Sequence, residues 1–239
     1  MPKSFFKRII RKFGFDLRRY RAESSEDAQF IAMLAAHRIN LILDVGANKG
    51  QFGRQLRNAG YEGRIVSFEP LASARMALAL ACKEDPLWEV APQAAIGSED
   101  GEIEIHVAGN SESSSILNML DSHAIAAPES VYVGSEKVPL RRLDTLAQGY
   151  LQQEDVLFVK IDTQGYEDRV LQGAPNILAR TKGLQLELSL VPLYEGQRLY
   201  DEMIGKLRAL NFELWGVSPM FVDPKSGRLL QIDATFFRR

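Results

Sequence analysis

The chain has 239 residues, with 46% hydrophobic and 25% charged content, which suits one soluble globular domain with a sizeable core. A net charge of −2 offers no overall basicity for nucleic-acid binding, so no nucleic-acid partner is expected. The single cysteine, Cys82, excludes an internal disulfide and a cysteine-based zinc site and fits a reducing compartment.

The charge is unevenly spread. Residues 1–21 hold eight of the 29 lysines and arginines, against Asp16 alone among the acids. Phe5, Phe6, Ile9, Ile10 and Phe13 recur at helical spacing, with Lys7, Arg8, Arg11 and Lys12 on the other side. We divide the chain into this basic amphipathic segment, 1–21, and a main domain, 22–239. Two readings of the segment stay open. One is an interfacial helix touching anionic lipid through residues 1–20; the other is a helix packed on the domain with a solvated charged face. No apolar run is long enough to span a bilayer, and the N-terminus lacks the apolar core of a signal peptide. The expected location is the cytoplasm, peripheral at the inner face of the membrane under the first reading.

Residues 26–38 predict a helix, with His37 as a cap at its end. Residues 41–52 read LILDVGANKGQF. Leu41, Ile42, Leu43 and Val45 form an apolar run without alternation, the pattern of a strand buried on both faces. Asp44 interrupts it near its carboxyl end. Gly46, Ala47, Asn48 and Gly50 then make a tight turn into a helix that carries Phe52. Strand, glycine turn and helix in this order bind nucleotide-like cofactors, and free N–H groups at the helix start favour an anionic group.

Residues 64–68 predict the second strand, with Glu69 and Pro70 at its end. An acidic residue about 20 positions after the glycine turn typically takes a ribose diol. The co-occurrence of turn and acid favours the ribose role; the alternative is that Glu69 caps the helix predicted over 72–82. The turn is not G-x-G-x-x-G, which argues against a dinucleotide.

Residues 88–96 predict a third strand, placing Ala95 and Ile96 at the cofactor edge. Residues 101–109 alternate strictly, as in a half-exposed strand with His106 solvated, and 131–142 predict its partner. The Ser-rich stretch 110–128 reads as a loop that could close over a site; His123 has no visible partner there. Residues 156–161 predict a central strand ending at Asp162, with a turn at Gly165. Residues 165–178 predict a helix with Pro175 near its last turn. Residues 184–190 predict a strand containing Glu187, and 200–210 a helix. Residues 212–217 and 234–237 predict a closing hairpin.

D-V-G-A-N-K-G-Q-F followed by S-F-E-P resembles the FkbM family of S-adenosylmethionine-dependent methyltransferases. A-A-I-G-S-E-D-G-E (94–102), R-L-D-T-L (142–146), K-I-D-T-Q-G-Y-E (160–167) and L-E-L-S (186–189) strengthen the resemblance, which covers about 41–217. It implies an α/β class I, Rossmann-like fold: a seven-stranded, mostly parallel sheet with one antiparallel strand, helices on both faces and an inserted β-hairpin. It implies S-adenosylmethionine as cofactor and O-methylation of a sugar, polyketide or related small molecule. The cofactor set is then Asp44, Gly46, Ala47, Asn48, Gly50, Phe52, Glu69, Pro70, Ala95 and Ile96, with Ala95 and its neighbours along the adenine. The chain departs from the family's K-I-D-x-E-G at Gln164.

Methyl transfer needs the acceptor held in line, and a hydroxyl acceptor needs its proton removed. Asp44, Glu69 and Asp162 end parallel strands and so converge on one sheet edge. Asp162 is placed for the base role, with Glu187 and Lys160 as close candidates; a structural Asp162–Lys160 pair is the alternative. No compact metal-ligand motif is present, so no metal is assigned. The rival function is a non-catalytic S-adenosylmethionine-binding or scaffold protein.

Overall fold

The centre of the molecule is built from short aliphatic runs. Every residue of β1 (Leu41–Val45) and β7 (Leu157–Ile161) is buried, as is nearly all of β2 (Arg64–Phe68). Strands apolar on both faces must be covered on both, and helices do this on either side of a parallel sheet. With β3 (Trp88–Val90), β8 (Thr181–Ser189), β9 (Phe212–Val222) and β10 (Leu229–Arg238) they form one seven-stranded sheet of order β3-β2-β1-β7-β8-β10-β9. β1 pairs in parallel with β2 on one side and β7 on the other, so the strand order reverses between β1 and β7. Ligands bind at such a switch point. β10 is the inverted strand, antiparallel to both β8 and β9.

A second sheet of order β4-β6-β5 holds β4 (Ala95–Gly97), β5 (Gly101–Ala108) and β6 (Tyr132–Arg142). β5 and β6 are the inserted antiparallel pair. This computed structural model describes residues 12–15 and 19–239. Phe5, Phe6, Ile9 and Ile10, on which the lipid-contact reading rests, lie outside the described residues. Among the described residues, no helix is long and apolar enough to cross a membrane.

Five expectations need correction. The single strand at 88–96 is two strands in different sheets, β3 and β4. Pro92 lies between them, and a residue without an N–H cannot extend a ladder. The helix at 165–178 is two helices, Glu167–Gln172 and Pro175–Arg180, because Pro175 starts the second rather than ending the first. The stretch 110–128 is not loop throughout: Asp121–Ala126 is helical, and Ser115 bridges to His106. His106 is accordingly half-buried and stacks on Tyr132, with ring centroids 4.8 Å apart. The closing hairpin begins at Phe212 as predicted but runs further toward its turn, with strands Phe212–Val222 and Leu229–Arg238.

The helix Glu26–Ala36 covers one face of the sheet. Its Phe30 meets Phe158 at 5.5 Å and Phe52 at 6.0 Å between centroids. His37 caps this helix as expected, with Nδ1 2.9 Å from the Met33 carbonyl and its ring stacked on Phe237. Trp88 lies under the helix Gln51–Asn58. Its indole N–H donates to Ser67 Oγ at 3.0 Å, and a Cβ added at Gly53 would lie 2.1 Å from its Cζ2. Gly53→Ala improves helix propensity by about 1 kcal/mol but overpacks a buried ring at a cost of about 1–3 kcal/mol. We expect the melting temperature to fall by several degrees, at about 2–4 °C per kcal/mol. A rise would show that Trp88 does not set this packing.

Candidate active site

A cavity of about 300 Å³ opens at the carboxyl ends of β1, β2 and β7. Its first wall is the turn after β1, where Gly46, Asn48 and Gly50 all have positive φ, at 83°, 47° and 82°. Gly46 is required for a second reason: a Cβ there would lie 1.7 Å from the Asp162 carbonyl oxygen. The two strand ends therefore touch through backbone. Gly50 does not line the cavity; it makes room for Leu78 and Trp88.

The turn uses its own donors internally. Gly46 N–H and Ala47 N–H donate to the Phe68 carbonyl, and Asn48 N–H donates to Glu69 Oε2 at 2.7 Å. These turn N–H groups are therefore already partnered within the protein. Gly50 provides no side-chain cap, so the N–H groups that remain are those of the helix's first turn, beginning at Gln51 and Phe52. Glu69 Oε1 also accepts from Leu71 N–H at 2.8 Å. Glu69 thus ties the turn to the start of the next helix and still lines the cavity with lone pairs to spare.

Ala47, Asn48, Phe52, Pro70, Ala95 and Ile96 line the cavity beside Gly46 and Glu69. Asp44 does not; it is fully buried beneath, accepting from Ser67 Oγ at 3.1 Å. Opposite it in the ladder stands Lys160, whose Nζ lies 3.7 Å from Asp44 Oδ1 and 3.1 Å from Asp162 Oδ2. Burial alone would lower the Lys160 ammonium, but Asp162, Asp44 and Asp233 outweigh it and hold the charge on.

Asp162, Lys160 and Glu187 are brought together at the far end of the same cavity. Gln164 joins them. Its Nε2 donates to Asp162 Oδ1 at 2.8 Å and to Glu187 Oε2 at 2.6 Å, while Tyr194 OH donates to its Oε1 at 2.7 Å. Gln231 Nε2 adds a second bond to Glu187 Oε2 at 2.9 Å. Burial first, then Asp162 and Asp233, raises the Glu187 carboxyl well above its usual range. The stretch Ser111–Ile116 forms the outer wall: Gln51 donates to Glu112 at 2.8 Å, and Ser115 Oγ donates to the Gln164 carbonyl at 2.7 Å.

Sequence reasoning missed Tyr194, Gln231, Asp233 and Met220. Rules about strand ends apply to parallel strands and are silent on the inverted β10. The one signal there is the polar alternation of Gln231, Asp233 and Thr235 within an apolar strand. His123, also without an expected partner, is buried edge-on against Tyr194. Among the described residues, no group of three or more His, Cys, Asp or Glu is arranged to hold a metal ion.

Burial pushes Glu69, Glu167 and Asp233 each up to about 7, above the unfolded values of about 4. The folded state then binds protons more tightly than the unfolded chain. The stability this contributes is complete below about pH 4 and is lost as pH rises through about 7. His123, lowered by burial to about 4, acts oppositely and only below about pH 6.5. Thermal melts of the ligand-free protein should therefore rise as pH falls from about 8 to about 6.5. A flat or falling melting temperature over that window would contradict the burial of these carboxyls.

The geometry fits a nucleoside-bearing cofactor: a glycine turn packed on the next strand end, an acid at the second strand end, and small apolar side chains between. Comparisons with known proteins agree. The family model described as the methyltransferase FkbM domain matches residues 44–214. The chain is 26% identical over 202 residues to 2-O-methyltransferase NoeI of Sinorhizobium fredii, covering 79% of each. Among solved structures it resembles magnesium protoporphyrin IX methyltransferase of Synechocystis with bound cofactor, at TM-score 0.48 and 10% identity, covering 99% and 92% of the two chains. It also resembles TehB of Haemophilus influenzae, at TM-score 0.47 and 9% identity, covering 88% of this chain and 62% of that one. These structural likenesses add nothing to the topology described above. With a family match over most of its length, the chain belongs to the FkbM methyltransferases, whose cofactor is S-adenosylmethionine.

Proposed function

We propose that the protein methylates a hydroxyl of a small molecule, a sugar, polyketide or related compound. The observation that carries this is Asp162. It ends β7 in the cavity, next to the turn after β1, and its side chain is 26% exposed while Asp44 and Lys160 below it are buried. The name of the related 2-O-methyltransferase supports oxygen as the acceptor atom.

When bound, S-adenosylmethionine supplies an activated methyl group. Glu69 would hold the ribose hydroxyls, with Gly46, Ala47, Asn48, Phe52 and Pro70 shaping that end and Ala95 and Ile96 lining the adenine side. Asp44 and Gly50 act from below, by placing Lys160 and the helix start. Asp162 orients the acceptor hydroxyl and takes its proton from oxygen. Lys160 and Gln164 each hold one Asp162 oxygen, fixing the carboxylate's direction. Glu187 is the poorer candidate for the base because its carboxyl is driven toward the protonated form and Oε2 already accepts two amides. Its role is to anchor Gln164.

Two substitutions test these roles. Acceptors are first found by mass shift against glycosides and cell extracts. Asp162→Asn should then lower kcat by about 10²–10⁴ while cofactor affinity stays within a few-fold. Glu187→Gln should keep most of the rate. A folded Asp162→Asn enzyme turning over at the wild-type rate removes the base assignment. Glu69→Gln should weaken S-adenosylmethionine binding at least tenfold by calorimetry, since a bond to a charged group contributes about 1.5–3 kcal/mol. Unchanged affinity would place the ribose elsewhere.

A further inference from the structure

The family match ends at residue 214, yet the β9–β10 hairpin beyond it reaches the cavity. Met220 of β9 and Asp233 of β10 both line it, and Asp233 stands directly opposite Glu187 in the ladder. Apart from Glu26, whose charge also acts on Asp233, the acids of the site are already engaged. Asp44 accepts from Ser67, Glu69 from Asn48 and Leu71, Asp162 from Lys160 and Gln164, and Glu187 from Gln164 and Gln231. Among the described residues, no hydrogen bond or ion pair reaches the Asp233 carboxylate.

A carboxylate removed from much of its water and given no donor is costly unless a ligand supplies one. Asp233 meets that condition on the wall of the cavity where acceptor chemistry is placed. Around it are the Lys160 ammonium, the planar polar groups of Asp162, Glu187 and Gln164, and the apolar side chain of Met220. That mixture fits a compound with several hydroxyls and an apolar face.

Building on the hydroxyl-acceptor reading above, we propose that Asp233 is an acceptor-binding residue. Its carboxylate takes a hydrogen bond from one hydroxyl of a polyhydroxylated acceptor while another hydroxyl lies at Asp162. Acceptor choice in this chain is then set partly by the closing hairpin, outside the region matched to the family.

The test loads the protein with S-adenosylhomocysteine and adds a set of methyl glycopyranosides, reading binding by saturation-transfer NMR. Wild type should bind at least one member. Asp233→Ala should weaken that binding tenfold or more, with cofactor affinity unchanged by calorimetry. Asp233→Asn, which keeps the shape, should show a smaller loss and serves if the alanine variant does not fold. Equal glycoside binding by wild type and variants overturns the assignment and leaves the hydroxyl-acceptor reading standing. Loss of cofactor affinity in the variants also overturns it, by moving Asp233 to the cofactor end. If wild type binds no glycoside, the polyhydroxylated acceptor is wrong, while turnover of Asp162→Asn still decides O-methylation separately.

Discussion

A buried ammonium holds this site together. Lys160 stands on the central strand with Asp44 across one ladder and Asp162 two residues on, and its Nζ is within 4 Å of both carboxylates. A charge so deeply placed is tolerable only when paired, and removing one partner typically costs about 3–5 kcal/mol. Asp44 is wholly enclosed and its Oδ1 has no other donor, so the pairing is mutual. Lys160 also lies 5.1 Å from the centre of the Phe52 ring, which links the ion cluster to the helix after the glycine turn. Turn, strand end and base candidate are thus fixed by one side chain.

The departure at Gln164 makes physical sense in this setting. An amide here donates to both Asp162 and Glu187, and Tyr194 fixes which way it faces. An ionised glutamate could donate to neither and would set its negative charge against that of Asp162. The chain therefore keeps the arrangement with a neutral residue. The cost is a strained backbone: Gln164 has φ 53°, directly before Gly165 at 95°. The bond from Ser115 Oγ to the Gln164 carbonyl helps hold that conformation and ties the outer wall to the Asp162–Glu187 end of the cavity.

Much of this was legible in the residues. Short, mainly apolar runs identified β1, β2 and β7, and the acids at their ends converged as parallel topology demands. Asp162, Glu187 and Lys160 came together in one cavity for the same reason. What escaped was set by tertiary contact. Pro92 divided a strand pattern that looked continuous, and Pro175 began a helix where local pattern placed an ending. His106 was covered by a bridge to Ser115, nine positions away, that no periodicity reports. Asp233, Gln231 and Met220 come from the hairpin that closes the sheet, where direction is inverted and the strand-end rule has no purchase. Gly50 sits at the turn as predicted, at φ 82° and packed against Leu78 and Trp88.

Under the proposed function the cavity divides into a cofactor end at β1 and β2 and an acceptor end at β7, β8 and β10. A crystal structure of the protein with S-adenosylhomocysteine tests that division most directly. The ribose hydroxyls should lie on Glu69 at hydrogen-bonding distance, about 2.6–3.2 Å, with the sulfur turned toward Asp162 and the Asp233 wall left open. A ribose held away from Glu69, or a cofactor filling the space beside Asp233, would contradict it.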